Sequence, residues 1–167
     1  MIYRRKAIGM GESQKKPLVM IILGSRSDEE YLPNATELLD SFGIRYEIRF
    51  CSAHREPSRL KTVIKEAENL GCDVIIAGAG LAAHLPGVIA SQTTLPVIGV
   101  PIPSGSLGGI DALLSIVQMP KGVPVAAVGI GRMDNASILA AQIIATGGNE
   151  DVRKKVEEYR KKWAKGK

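Results

Sequence analysis

Two hydrophobic periods alternate along this chain, and the switches between them mark a series of strands and helices. Leu18 to Leu23 is a continuous apolar run ended by Gly24, the pattern of a strand covered on both faces. Residues 28–42 carry helical spacing through Leu32, Ala35, Leu38 and Leu39 and close at Gly43. Residues 44–50 alternate as a second strand. Pro57 then opens a helix through Leu60, Val63, Ile64 and Ala67 that stops at Gly71. Residues 74–77 form a third strand leading into Gly78-Ala79-Gly80, and a helix follows over 83–91. Residues 96–99, 109–117, 125–128 and 135–145 continue as strand, helix, strand and helix. Beyond Gly147-Gly148, Val152, Val156, Tyr159 and Trp163 make a narrow apolar stripe on a charged helix over 150–165. That helix packs on its own core or, because the glycine pair lets it leave the domain, on a neighbouring subunit.

Short apolar strands alternating with helices predict an α/β fold, a parallel sheet with helices on both faces. Right-handed crossovers place every strand-to-helix loop on one edge. The loops 24–28, 52–55, 78–84 and 101–109 would gather there, and they are rich in Gly, Ser and charged residues. The chain divides into a basic extension over 1–16, a catalytic domain over 17–147 and the terminal helix over 148–167.

Composition narrows the function classes. The 167 residues suffice for one domain with a real core. The net charge of +5 suggests nucleic acid until it is divided by region. Residues 1–16 hold five basic and one acidic residue, and 150–167 hold eight and four. That leaves nine basic against twelve acidic residues in 17–149, a net of −3. Aromatic residues are 4% of the chain, too few for base-stacking platforms, so nucleic-acid binding is not expected. No apolar run reaches the roughly 18 residues of a membrane span, and the N-terminus lacks the apolar stretch of a secretory signal. A cytoplasmic location is the expectation. Cys51 and Cys72 match no metal spacing and read as reduced structural thiols.

The chemistry concentrates in Ser52-Ala53-His54-Arg55, where the second strand gives way to a loop. Arg offers a planar fork of donors to a phosphate and Ser a further one. His suits proton transfer near neutral pH. The pair reads as an enzyme acting on a small phosphorylated molecule. Gly24-Ser25-Arg26-Ser27-Asp28 reads either as a turn and helix cap or as an anion site, Ser25 holding the anion and Asp28 accepting from sugar hydroxyls. Gly78-Ala79-Gly80 begins like a dinucleotide loop, but Ala83 stands where a third glycine falls and no acidic residue follows at the proper distance. Close approach of backbone to a flat ligand accounts for those glycines better. His84 has a structural and a ligand-touching reading, both open. No Cys/His/acid cluster suits zinc, and neither a Walker pattern nor a carboxylate pair is present.

Taken in order, 24–28, 52–55, 78–87 and the run Ser115-Ile116-Val117-Gln118-Met119-Pro120 resemble the successive signatures of the PurE family of N5-carboxyaminoimidazole ribonucleotide mutases, of de novo purine biosynthesis. The resemblance spans about 18–145 without large insertions. It implies a three-layer αβα sandwich, assembled as a homo-octamer with sites near subunit contacts. It also implies a reaction with no metal, ATP or other cofactor, moving a carboxylate from the exocyclic nitrogen of the substrate to ring carbon C4. By that match Ser25, Ser52 and Arg55 hold the substrate phosphate, Asp28 the ribose, and His54 carries the proton. Gly78, Ala79 and Gly80, with Ser104, Ser106 and Leu107, line the base and carboxylate. Leu81 and Lys121 depart from the residues common in the family. Arg55, where the related animal-type enzymes tend to have Lys, favours the mutase over direct carboxylation with CO₂. A non-catalytic flavodoxin-like binding module is the remaining alternative. A receiver domain would want acidic residues after the first strand and an Asp after the third, and here Gly and Ser stand in those places.

Overall fold

A computed structural model of the chain describes residues 16–164, so the basic extension, apart from Lys16, and the last three residues lie outside the description. Five strands form one parallel sheet: β1 (Leu18–Leu23), β2 (Arg45–Phe50), β3 (Val74–Gly80), β4 (Val97–Ile102) and β5 (Ala126–Ala127), in the order β2-β1-β3-β4-β5. Around it lie α1 (Leu32–Phe42), α2 (Pro57–Leu70), α3 (Leu85–Ala90), α4 (Ile110–Val117), α5 (Met133–Thr146) and α6 (Glu150–Ala164). This is the expected sandwich of a sheet between two helical layers. The unbroken apolar run of β1 has its explanation in the layers. Val19, Ile21 and Leu23 enter the core beneath α1, α5 and α6, while Leu18, Met20 and Ile22 enter the core beneath α2, α3 and α4.

Several boundaries differ from the sequence expectation. The first helix does not run from residue 28. A 3-10 turn over Arg26–Tyr31 comes first, and α1 begins at Leu32 with Pro33 in its opening turn. Proline lacks the N–H of an interior helical position and its ring collides with the carbonyl four residues earlier, so it fits only a first turn. The third strand runs on through Gly78 and Gly80 instead of ending at Ala77. A Cβ at Gly78 would lie 2.7 Å from Leu23 Cδ2, so the glycine is what lets the last residue of β1 stay paired with β3. The fourth strand extends to Ile102, and α3 is shorter than 83–91 because residues 81–84 form a turn. The fifth strand is reduced to two residues at the sheet edge, between Pro124 and Gly129.

The terminal helix lies on its own domain. Asn149 caps α6 by accepting the Val152 N–H at 3.0 Å. Val152 and Val156 are buried, Tyr159 packs edge-on against Phe42, and Lys155 reaches the Phe42 carbonyl at 3.1 Å. Among the described residues no helix is long and apolar enough to cross a membrane.

Candidate active site

The order β2-β1-β3 means the chain leaves β1 in opposite directions to its two neighbours. Such a switch point opens a crevice beyond the strands' carboxyl ends. A cleft of about 520 Å³ occupies that place. It collects residues from the ends of four strands: Ser25 and Asp28 after β1, Ser52 to Arg55 after β2, Ala79 to Leu85 around the end of β3 (Ala83 excepted), and Ser104 after β4.

The loop after β1 is held to β3 by the Gly24 N–H, which donates to the Gly78 carbonyl at 3.0 Å. Ser25 has extended backbone and its hydroxyl accepts the Ser27 N–H at 3.3 Å, so it does cap the turn. The cap and the anion reading are compatible. The Ser27 hydroxyl sits 2.8 Å from Ser25 Oγ and 3.1 Å from Asp28 Oδ1, linking the two residues. Asp28 is buried, and desolvation pushes its carboxyl above its ordinary value against the opposing hydrogen bond from Ser27.

The loop after β2 starts with the Cys51 N–H donating to the Leu23 carbonyl at 2.9 Å, which fixes it beside β1. Ser52 is buried and its Oγ accepts the Arg55 N–H at 3.3 Å, leaving the hydroxyl proton for a ligand. Arg55 is exposed and also lines an adjoining basic groove of about 640 Å³, with Arg26, Arg49, Arg59 and Glu56. Arg26 is held there over the ring of Phe50, 4.8 Å from its centroid.

His54 does not stand alone. Its Nε2 lies 2.8 Å from Nδ1 of His84, with the rings nearly perpendicular. His84 stands at the start of α3, its N–H donating to the Ala82 carbonyl at 2.8 Å and its carbonyl accepting from Val88. Opening that turn, Leu81 holds φ +55°, a strained value for a branched side chain, at the cleft wall.

Of the residues singled out by the sequence, Ser25, Asp28, Ser52, His54, Arg55, Ala79, Gly80, His84 and Ser104 share this cleft. Gly78 does not line it; the glycine is buried within β3. Ser106 and Leu107 are exposed on the loop after β4 and also stand outside the cleft wall. Ser27 and Glu56 are the residues that sequence reading passed over. Ser27 had a visible signal, its spacing of two from Ser25 inside the same motif. Among the described residues no three His, Cys, Asp or Glu side chains gather as a metal site.

The family model described as AIR carboxylase matches residues 18–166. The chain is 60% identical over 128 residues to the N5-carboxyaminoimidazole ribonucleotide mutase of Saccharolobus solfataricus, covering 77% of this chain and 81% of that protein. It is 54% identical over 147 residues to the mutase of the same name from Aquifex aeolicus, covering 88% and 83%. A crystal structure of Treponema denticola PurE superposes with a TM-score of 0.83 at 32% identity, covering 90% of this chain and 94% of that one. The chain belongs to the AIR carboxylase family.

Proposed function

We propose that this chain is an N5-carboxyaminoimidazole ribonucleotide mutase, converting that carbamate to 4-carboxy-5-aminoimidazole ribonucleotide in purine biosynthesis. The observation that carries the reading is the meeting, in one cleft, of Arg55 and three serines from two loops with a histidine whose ring contacts a second histidine. Relatives bearing that name match at 54–60% identity over most of the chain.

The chemistry asks for these side chains. Arg55 and the hydroxyls of Ser25, Ser27 and Ser52 take the phosphate, and Asp28 accepts from the ribose. The Ala79–Gly80 backbone and Ser104 face the base. Pinning the phosphate away from the reacting atoms fixes the heterocycle beside His54. His54, protonated, gives its proton to the exocyclic nitrogen. The C–N bond breaks, its electron pair becoming the nitrogen lone pair, and the carboxylate leaves as neutral CO₂. The aminoimidazole is an enamine, and its C4 attacks the trapped CO₂ to form the C–C bond. His54 then removes the C4 proton, so the cycle ends with its charge unchanged.

The contact with His84 engages His54 Nε2, whichever ring donates, and leaves His54 Nδ1 as the nitrogen open to substrate. In the tautomer in which His84 Nδ1 accepts, the proton gained and lost is the one on His54 Nδ1. Such an enzyme acts in the cytoplasm, where a nucleotide intermediate passes between soluble enzymes, and assembles as a homo-octamer by family resemblance. An exposed apolar stripe, Ile110, Leu114 and Val117 on α4 beside Leu107, supports self-association.

Incubation of the purified protein with aminoimidazole ribonucleotide at low bicarbonate tests the assignment. The mutase forms product quickly from the carbamate and slowly from the decarboxylated nucleotide. Fast turnover of the latter assigns direct carboxylation, and turnover of neither assigns a binding module.

A further inference from the structure

Glu56 stands between the loop that carries His54 and Arg55 and the helix that follows. It occupies the N-cap position of α2, yet its side chain makes no capping bond. The carboxylate turns back onto the loop instead. Its Oε2 accepts the Ser52 N–H at 3.2 Å, and its Oε1 accepts from the Arg59 guanidinium at 2.7 Å. The main chain closes the same segment, the Glu56 N–H donating to the Ser52 carbonyl at 2.9 Å. Residues 52–56 are thus a closed unit, tied to β1 through Cys51 and to α2 through Arg59.

We infer that Glu56 is a positioning residue of the carboxyl-transfer reaction, its carboxylate holding the 52–55 loop so that His54 and Arg55 meet the substrate in one fixed arrangement. This rests on the roles proposed above for those two residues. The bond with Arg59, then the Ser52 N–H, keeps the carboxyl below its ordinary range, so Glu56 stays ionised through the neutral range. The magnitudes separate positioning from stability. An ion pair that water reaches on both partners contributes little to folding. A displacement of about 1 Å at a reacting group costs up to about a hundredfold in rate. Glu56 therefore matters to turnover far more than to folding.

Glu56→Ala, Glu56→Gln and His54→Asn, assayed together on the full chain with the carbamate substrate, test this. The expected result is a kcat reduced about tenfold or more in Glu56→Ala, with melting close to that of the unmodified protein. Glu56→Gln recovers most of the rate, because the amide oxygen still accepts the Ser52 N–H, and its KM does not rise, because the positive field around Arg55 grows. Unchanged kcat in Glu56→Ala beside an inactive His54→Asn overturns the inference about Glu56 alone. Equal losses in Glu56→Ala and Glu56→Gln also overturn it, since charge would then matter and the bond to Ser52 would not. An active His54→Asn overturns the site reading and this inference with it.

Discussion

Asp28 is a carboxylate placed where burial works against its charge. Its folded form keeps the proton to higher pH than the unfolded chain, whose carboxyl titrates near 3.8. Its contribution to stability is therefore fully present below that value and is lost as pH rises through the folded pKa. At pH 7 the buried charge opposes folding. Asp28→Asn keeps an acceptor for the Ser27 hydroxyl and removes the charge, so its melting temperature at pH 7 should exceed that of the unmodified protein. The difference should shrink as pH is lowered toward 3.8, while substrate KM rises at every pH. A lower melting point at pH 7 would mean that the Ser27 bond outweighs desolvation. At His54, replacement by Asn should lower kcat by about 10²–10⁴ while substrate still binds, measured by single-turnover kinetics. Arg55→Ala should instead raise KM by roughly tenfold or more, the worth of a charge-assisted bond to phosphate. The residues of these predictions are legible in sequence because each sits in a short motif at a strand end. The partnership of His54 with His84 is not legible, since it depends on two turns after different strands bringing together residues far apart in the chain. Ser106 and Leu107 stand outside the cleft wall of the single chain, and membership of a loop does not by itself fix which side of it faces a cleft.

At the scale of elements, apolar runs and stop signals carried the reading where packing and propensity agree. Gly43 and Gly71 end α1 and α2 in left-handed conformations, with N–H groups of the following residues returning to the last turn. Where the expectation missed, a neighbour or a proline decided: Pro33 cut the first helix, and close approach of Leu23 at Gly78 and of Ser104 and the Ile102 carbonyl at Gly80 leaves room only for glycine in the end of β3. Gly99 shows the same constraint on the other side of the sheet. A Cβ there would meet Ile116 Cγ2 at 2.5 Å and Val125 Cγ1 at 3.0 Å, so α4 sits on β4 only because the strand is bare at that point. Gly99→Ala should destabilise the fold by about 1–3 kcal/mol, the usual cost of overpacking, and lower the melting temperature by several degrees. Thermal unfolding followed by circular dichroism measures it, and an unchanged transition would mean that α4 shifts freely on the sheet.

For the whole molecule, the distribution of apolar surface separates α4 and α6 in function. The stripe of α6 is satisfied within the chain, apart from Trp163, which remains 64% exposed. The outer stripe of α4 is not: Ile110, Leu114 and Val117 are 45–57% exposed, and Leu107 beside them 58%. A monomer would leave that row in water immediately after the loop that brings Ser104 to the cleft. A second copy seated on α4 would cover the row and stiffen the same loop, so assembly and catalysis would be linked through one element. Leu114→Glu should then reduce the mass measured by light scattering without unfolding the protein, because the side chain points away from the core. Turnover should fall with the mass, and by more than KM changes. An assembled, fully active Leu114→Glu protein would place the subunit contact elsewhere and leave the cleft complete within one chain.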